Sequence, residues 1–171
     1  MAEERNWLTT ALDLEEKGRR HYLETVRTCR NPVGREVFQM LADYEVQHIE
    51  RIREIAASPG PGRPWTEGLA SFEVPTDLGR VFRALTGQHQ ARQAEADEVA
   101  ALEMGLEFES ASIKFYQDRQ AQARDPLEKK FLGLMVAEER GHLNLLSDLR
   151  LYYTDPESWY LEKDRVTLDG A

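Results

Sequence analysis

Shifted by 94 residues, the chain meets itself. Leu8 falls on Leu102, Leu12 on Leu106, Glu15 on Glu109, Tyr22 on Tyr116, Arg30 on Arg124, Pro32 on Pro126, Glu45 on Glu139 and His48 on His142. The register runs from residue 7 to 55 without a gap, and it matches apolar, turn and ionisable positions together. That is the signature of a duplicated structural unit rather than of shared composition. Any fold for this chain must therefore accommodate two copies of one motif.

The motif reads as a helical hairpin. Leu8, Leu12, Glu15, Tyr22 and Val26 recur at three- to four-residue steps, with Asp13, Glu16 and Arg20 on another face. The stretch "RNPVG" (30–34) ends this helix, because proline cannot continue one and disfavours helical geometry in the residue before it. A second helix then carries Phe38, Leu41, Glu45, His48, Ile52 and Ile55 on one stripe. The second unit repeats the pattern with Leu102, Leu106, Glu109, Ile113 and Tyr116, a break at "RDP" (124–126), and Leu132, Met135, Glu139, His142, Leu146 and Leu149.

Between the units lie a Pro/Gly loop, "SPGPGRPWTEG" (58–68), and a short predicted helix beginning near "TDLGRVFRAL" (76–85). Such a connection is far longer than neighbouring helices need, and long enough to cross the length of a bundle. The expected fold class is all-α: a four-helix bundle of two repeated hairpins joined by a long crossover, with a short helical tail. The whole of 1–171 is read as one domain, with hairpins at 6–56 and 95–150, a crossover at 57–94 and a tail at 151–171. The tail has its own helix start at Thr154-Asp155-Pro156, and Trp159 and Tyr160 are available to pack on the bundle or on a second subunit.

Four of the repeated residues do not belong in an apolar stripe. Glu15, Glu45, Glu109 and Glu139 each sit among core positions, where a lone carboxylate costs several kcal/mol or is driven to its neutral form. Residues 15 and 45 are equidistant from the first turn, and 109 and 139 from the second. In antiparallel pairs all four then lie level, about 20 Å from the turns at the helical rise per residue. The Glu-x-x-His spacing in "YEVQH" and "EERGH" puts His48 beside Glu45 and His142 beside Glu139 on one face. Six side chains converge on one layer. Two divalent cations would cancel four carboxylate charges, and mixed carboxylate and imidazole ligation suits iron or manganese. A Glu from each of two helices and a Glu-x-x-His from each of the other two is the general pattern of dinuclear carboxylate bundles. Glu138 and Glu16 are the neighbouring alternatives, but the 94-residue register favours Glu139 and Glu15. Tyr22 and Tyr116, two turns beyond Glu15 and Glu109, are placed to hydrogen-bond the carboxylates or to act as plain core tyrosines. His21, His89 and Cys29 have no counterpart in the repeat and read as structural or surface residues.

Charge narrows the partners. A formal net charge of -9 opposes binding to nucleic acid or an anionic membrane, and no apolar run approaches the length of a membrane span. The first residues, "MAEERNW", lack the apolar core of a secretory signal, so the cytoplasm is the expected location. A single cysteine, Cys29, permits neither an internal disulfide nor a cysteine-ligated iron site within these residues.

With "LEEKGRRHY" and "YEVQH", then "FESASIKFY" and "EERGH", the chain resembles the ferritin-like superfamily, and within it the rubrerythrins, over roughly residues 6–56 and 95–150. The resemblance implies a di-iron site in which Glu45 and Glu139 bridge, Glu15 and Glu109 are terminal, and His48 and His142 each bind one metal. It implies reduction of hydrogen peroxide or dioxygen, a role in oxidative stress, and assembly as a homo-oligomer. Two departures stand out. Typical rubrerythrins carry an extra carboxylate three residues from the third-helix ligand, where this chain has Leu106 and Ser112, and they carry a rubredoxin domain, for which this chain has no cysteines. The electron donor is then expected to be a separate protein, such as a rubredoxin-type protein. Ferroxidase-linked iron handling, a manganese catalase-like enzyme and a metal-stabilised structural bundle remain alternatives at this level.

Overall fold

The computed structural model describes residues 2–57, 72, 77–89 and 92–161, and the side chains from Trp7 onward. Its elements are α1 (Ala2–Thr28), α2 (Pro32–Ala57), α3 (Leu78–Gln88), α4 (Ala96–Gln122) and α5 (Pro126–Thr154), followed by a short helical segment at 156–161. Among the described residues there is no strand, and no helix is long and apolar enough to cross a membrane. The fold class is the expected all-α bundle. The Pro/Gly loop at 58–68 lies outside the described residues.

Both tight turns are written in the same chemistry. Asn31 closes the first: its side chain accepts the Gly34 amide at 3.1 Å, and Pro32 opens α2, where a missing N–H costs nothing. Asp125 does the same at the second, accepting the Leu127 amide at 2.7 Å ahead of Pro126. These are equivalent positions of the repeat. Glu98, in the first turn of α4, ties the bundle together at that end by accepting from the backbone N–H groups of Arg30 and Asn31, each at 2.7 Å.

Cross-helix contacts fix the arrangement. Residue 15 lies by 48 and 18 by 45, 22 by 109 and 15 by 116, 48 by 138 and 44 by 142. Each of these helix pairs therefore runs antiparallel, in the cyclic order α1, α2, α5, α4. Helices α2 and α4 then run in the same direction on a diagonal, which is why the link between them must travel the length of the bundle. Within that link, α3 packs on α5 and α2. Trp159 from the tail packs edge-on against Phe82 of α3, with ring centroids 4.9 Å apart, and Phe82 also meets Tyr152. The tail aromatics thus bury against their own bundle.

The apolar core comes in two parts. One gathers Phe38, Leu41, Leu102, Leu146, Leu149, Phe82 and Trp159, and the other Trp7, Ile52, Ile55, Phe131, Leu132 and Met135. In sequence, the polar residues 15, 45, 48, 109, 139 and 142 fall between the two sets on every long helix.

Candidate metal centre

All six sequence-selected residues meet in that intermediate layer. Glu15, Glu45, His48, Glu109, Glu139 and His142 are each at most 4% exposed. Each long helix contributes from its middle, where packing of the two apolar clusters on either side holds the backbone and fixes the direction of the side chains. The Nδ1 atom of His48 lies 3.1 Å from Glu15 Oε2, 3.6 Å from Glu45 Oε2 and 3.3 Å from Glu139 Oε1. That of His142 lies 3.2 Å from Glu139 Oε2 and 3.7 Å from Glu109 Oε2. Two overlapping ligand sets result, with atoms within 4.8 Å of one another: Glu15, Glu45 and His48 in one, and Glu45, Glu109, Glu139 and His142 in the other. Glu45 belongs to both, and Glu139 turns one oxygen toward each histidine. The imidazole rings stack with centroids 5.4 Å apart.

The electrostatics of this layer ask for cations. Burial pushes the Glu45 carboxyl well up, helped by the charge of Glu15. Burial and Glu139 push Glu109 up to about 7. Burial alone would lower both histidines; the carboxylates overcome it, raising His48 well above its ordinary value and His142 to about 9. Burial likewise opposes charge on Glu139, but His48 and His142 hold it below the usual carboxylate range. The raised values of Glu45, Glu109, His48 and His142 all favour protons in the layer, the part that bound cations would take over. Even so, among the described residues Glu45 Oε2, both oxygens of Glu139 and His142 Nδ1 are buried with only ion-pair approaches of 3.2–3.7 Å and no well-aligned hydrogen bond, although such atoms are normally satisfied. Four such loosely satisfied ligand atoms in one buried layer fit a metal pair, and the oxygen–nitrogen donor set fits iron or manganese.

The two tyrosines complete the layer. Tyr22 donates to Glu109 Oε1 and Tyr116 to Glu15 Oε1, each from α1 or α4 across to the other, so Glu109 and Glu15 are each held by the opposite hairpin. Burial raises both phenols well above their ordinary value, so they remain donors. Of the other flagged residues, His21 packs beside Tyr22 with Nε2 2.8 Å from the Ala101 carbonyl, His89 pairs with Glu36 and Cys29 sits near Glu98 and Tyr153; none belongs to either ligand set.

Three surrounding features were not read from the sequence. Glu138 lies 3.0 Å from the Nε2 of His48 and is itself paired with buried Arg51. Tyr44 packs against His142 with ring centroids 5.0 Å apart. Gly18 faces Glu45: a Cβ there would stand 3.2 Å from Oε1. The signal for the first two was present, since Tyr44 and Glu138 occupy equivalent positions of the repeat, immediately before the bridging candidates.

A bundle of two antiparallel hairpins with a buried Glu/His layer at mid-height defines the ferritin-like carboxylate-bundle class. The family model for rubrerythrin matches residues 6–150, most of the chain, and the chain belongs to the rubrerythrin family. No curated protein and no solved structure matches it.

Proposed function

We propose that the protein is a non-haem di-iron oxidoreductase that reduces hydrogen peroxide, or dioxygen, with electrons from an external protein donor. The observation carrying this reading is the buried layer of four carboxylates and two imidazoles whose donor atoms lie within 4.8 Å of one another in two overlapping sets. Glu45 and Glu139, placed between the histidines, would be shared by the two irons; Glu15 with His48, and Glu109 with His142, would complete one position each. When bound, the iron pair supplies the two electrons that convert hydrogen peroxide and two protons to two waters.

The chain's own residues do the rest. The apolar clusters above and below the layer keep bulk water from the carboxylates, which strengthens their hold on cations. Tyr22 and Tyr116 fix Glu109 and Glu15 in orientation. Leu106 and Ser112, three residues to either side of Glu109, offer no counterpart to the family's typical extra carboxylate, so this donor set is the more symmetric one. As only Cys29 is present, electrons must arrive from outside these 171 residues.

The test is a single-turnover experiment. Anaerobically reduced protein carrying two irons per chain should be oxidised by one equivalent of hydrogen peroxide and then stop, and a reduced rubredoxin-type protein should restart it. Oxygen evolution without a donor would replace this reading with a catalase, and iron uptake well beyond two per chain would replace it with a storage protein. Metal analysis of the isolated protein decides between iron and manganese, and its native mass decides whether it assembles as a homo-oligomer.

A further inference from the structure

The ligand layer is almost symmetric, but what stands behind it is not. Behind His48, on the Nε2 side, Glu138 of α5 offers a carboxylate oxygen at 3.0 Å, and the same oxygen is held by Arg51 at 2.5 Å. Arg51 is buried and its guanidinium lies over the Phe72 ring, 4.1 Å from the centroid. Behind His142, the repeat supplies other residues at the same two positions: Tyr44 replaces Glu138, and Leu145 replaces Arg51. Tyr44 puts a ring, not an anion, against His142.

This difference bears on a metal-binding imidazole in a known direction. With Nδ1 turned to the carboxylate layer, the neutral ring carries its proton on Nε2, and a carboxylate accepting that proton fixes the tautomer and makes Nδ1 a stronger ligand. Losing such a partner typically costs 10- to 100-fold in metal affinity, by the general behaviour of such sites. Among the described residues, His48 has such a partner and His142 has none. Arg51, itself buried, pairs with the same Glu138 carboxylate and holds it against the His48 ring. We infer that Glu138 and Tyr44 are positioning residues that make the two metal positions unequal, the His48 position binding first and the His142 position second. The inference rests on the two-metal reading above and adds an order of filling that the six ligands alone do not provide.

Stepwise titration of the metal-free protein with Co(II), against a competing chelator, tests it. Two ions should bind in separate steps. Mutual repulsion of the ions would separate the steps even at equal positions, so the variants decide. Glu138→Gln should weaken the first step by about 10- to 100-fold and leave the second little changed. Were the positions intrinsically equal, the first ion would simply move to the His142 side, sparing the first step and weakening the second, and the inference would be overturned. Tyr44→Glu, at a half-buried position, supplies an independent arm if the first variant fails to fold. It should tighten the second step and close the gap; an unchanged second step would likewise overturn the inference. Binding of fewer than two ions by the unaltered protein would refute the two-metal reading and this order with it. Two ions with either contrary variant result would refute the order alone.

Discussion

Raising the pH should loosen the metal-free protein while leaving the metal-loaded one almost untouched. The argument rests on His142, whose pKa stands at about 9 in the fold against 6.5 as the ordinary value. A group with a raised folded pKa contributes stability that is fully present below its unfolded value and is lost as the pH rises through the folded one. For these two values the contribution is about 3 kcal/mol at pH 7 and below about 1 kcal/mol at pH 8.5. His48, Glu45 and Glu109 are all raised and move in the same direction, Glu109 completing its change near 7. Glu139 is held low, so its contribution is lost only in strong acid, outside this window. The expected fall is therefore about 2 kcal/mol between pH 7 and 8.5, or about 4–8 °C in melting temperature for a chain of this length. Bound Co(II) replaces these protons and abolishes the effect. Paired calorimetric melts of chelated and Co(II)-loaded protein isolate the site, because every other group titrates in both. If the chelated protein holds its melting temperature relative to the loaded form across this range, the protons do not occupy the places assigned to cations.

Other outcomes are open to direct measurement. Tyr22→Phe removes the donor to buried Glu109 and should cost about 1–3 kcal/mol in urea unfolding of the metal-free protein; Tyr116→Phe should cost a similar amount through Glu15. Gly18→Ala should raise helix stability by up to about 1 kcal/mol yet weaken binding of both ions, since its methyl would crowd Glu45, which belongs to both ligand sets. Opposite signs in melting and metal titration are the diagnostic. Gly34→Ala should destabilise by about 1–3 kcal/mol or more, because its Cβ would lie 1.7 Å from the Tyr153 hydroxyl, whereas Gly87→Ala, with nothing among the described residues within 4 Å, should not. Glu139→Ala should lower occupancy at both positions, read by metal analysis.

The six layer residues were legible because two independent periodicities agreed on them. The helical stripe placed Glu15, Glu45, Glu109 and Glu139 inward, and the 94-residue register selected Glu139 over Glu138. The same register concealed the surroundings. A comparison that rewards identity discards Tyr44 against Glu138, Arg51 against Leu145 and Gly18 against Ser112, though Tyr44, Glu138 and Gly18 touch ligand residues and Arg51 touches Glu138. Helix α4 shows a related limit. It buries Glu98, Gly105, Glu109 and Ser112, so its inward face contains small and polar residues that hydrophobic patterning alone would set outside. Trp159 and Tyr160 announced that the tail has apolar area to hide, but only three-dimensional proximity to Phe82 shows where.

The approximate twofold relation between the hairpins has one more consequence. Were the bundle a pair of identical chains, any residue placed behind one histidine would necessarily appear behind the other, and the two ions could never be told apart by their surroundings. In a single continuous polypeptide each half is encoded separately. Glu138 and Arg51 can accumulate on one side while Tyr44 and Leu145 accumulate on the other, with the shared carboxylates unchanged. On the two-metal reading proposed above, tandem duplication turns a site with one adjustable environment into a site with two, and a single substitution would retune one ion while its neighbour keeps its own setting.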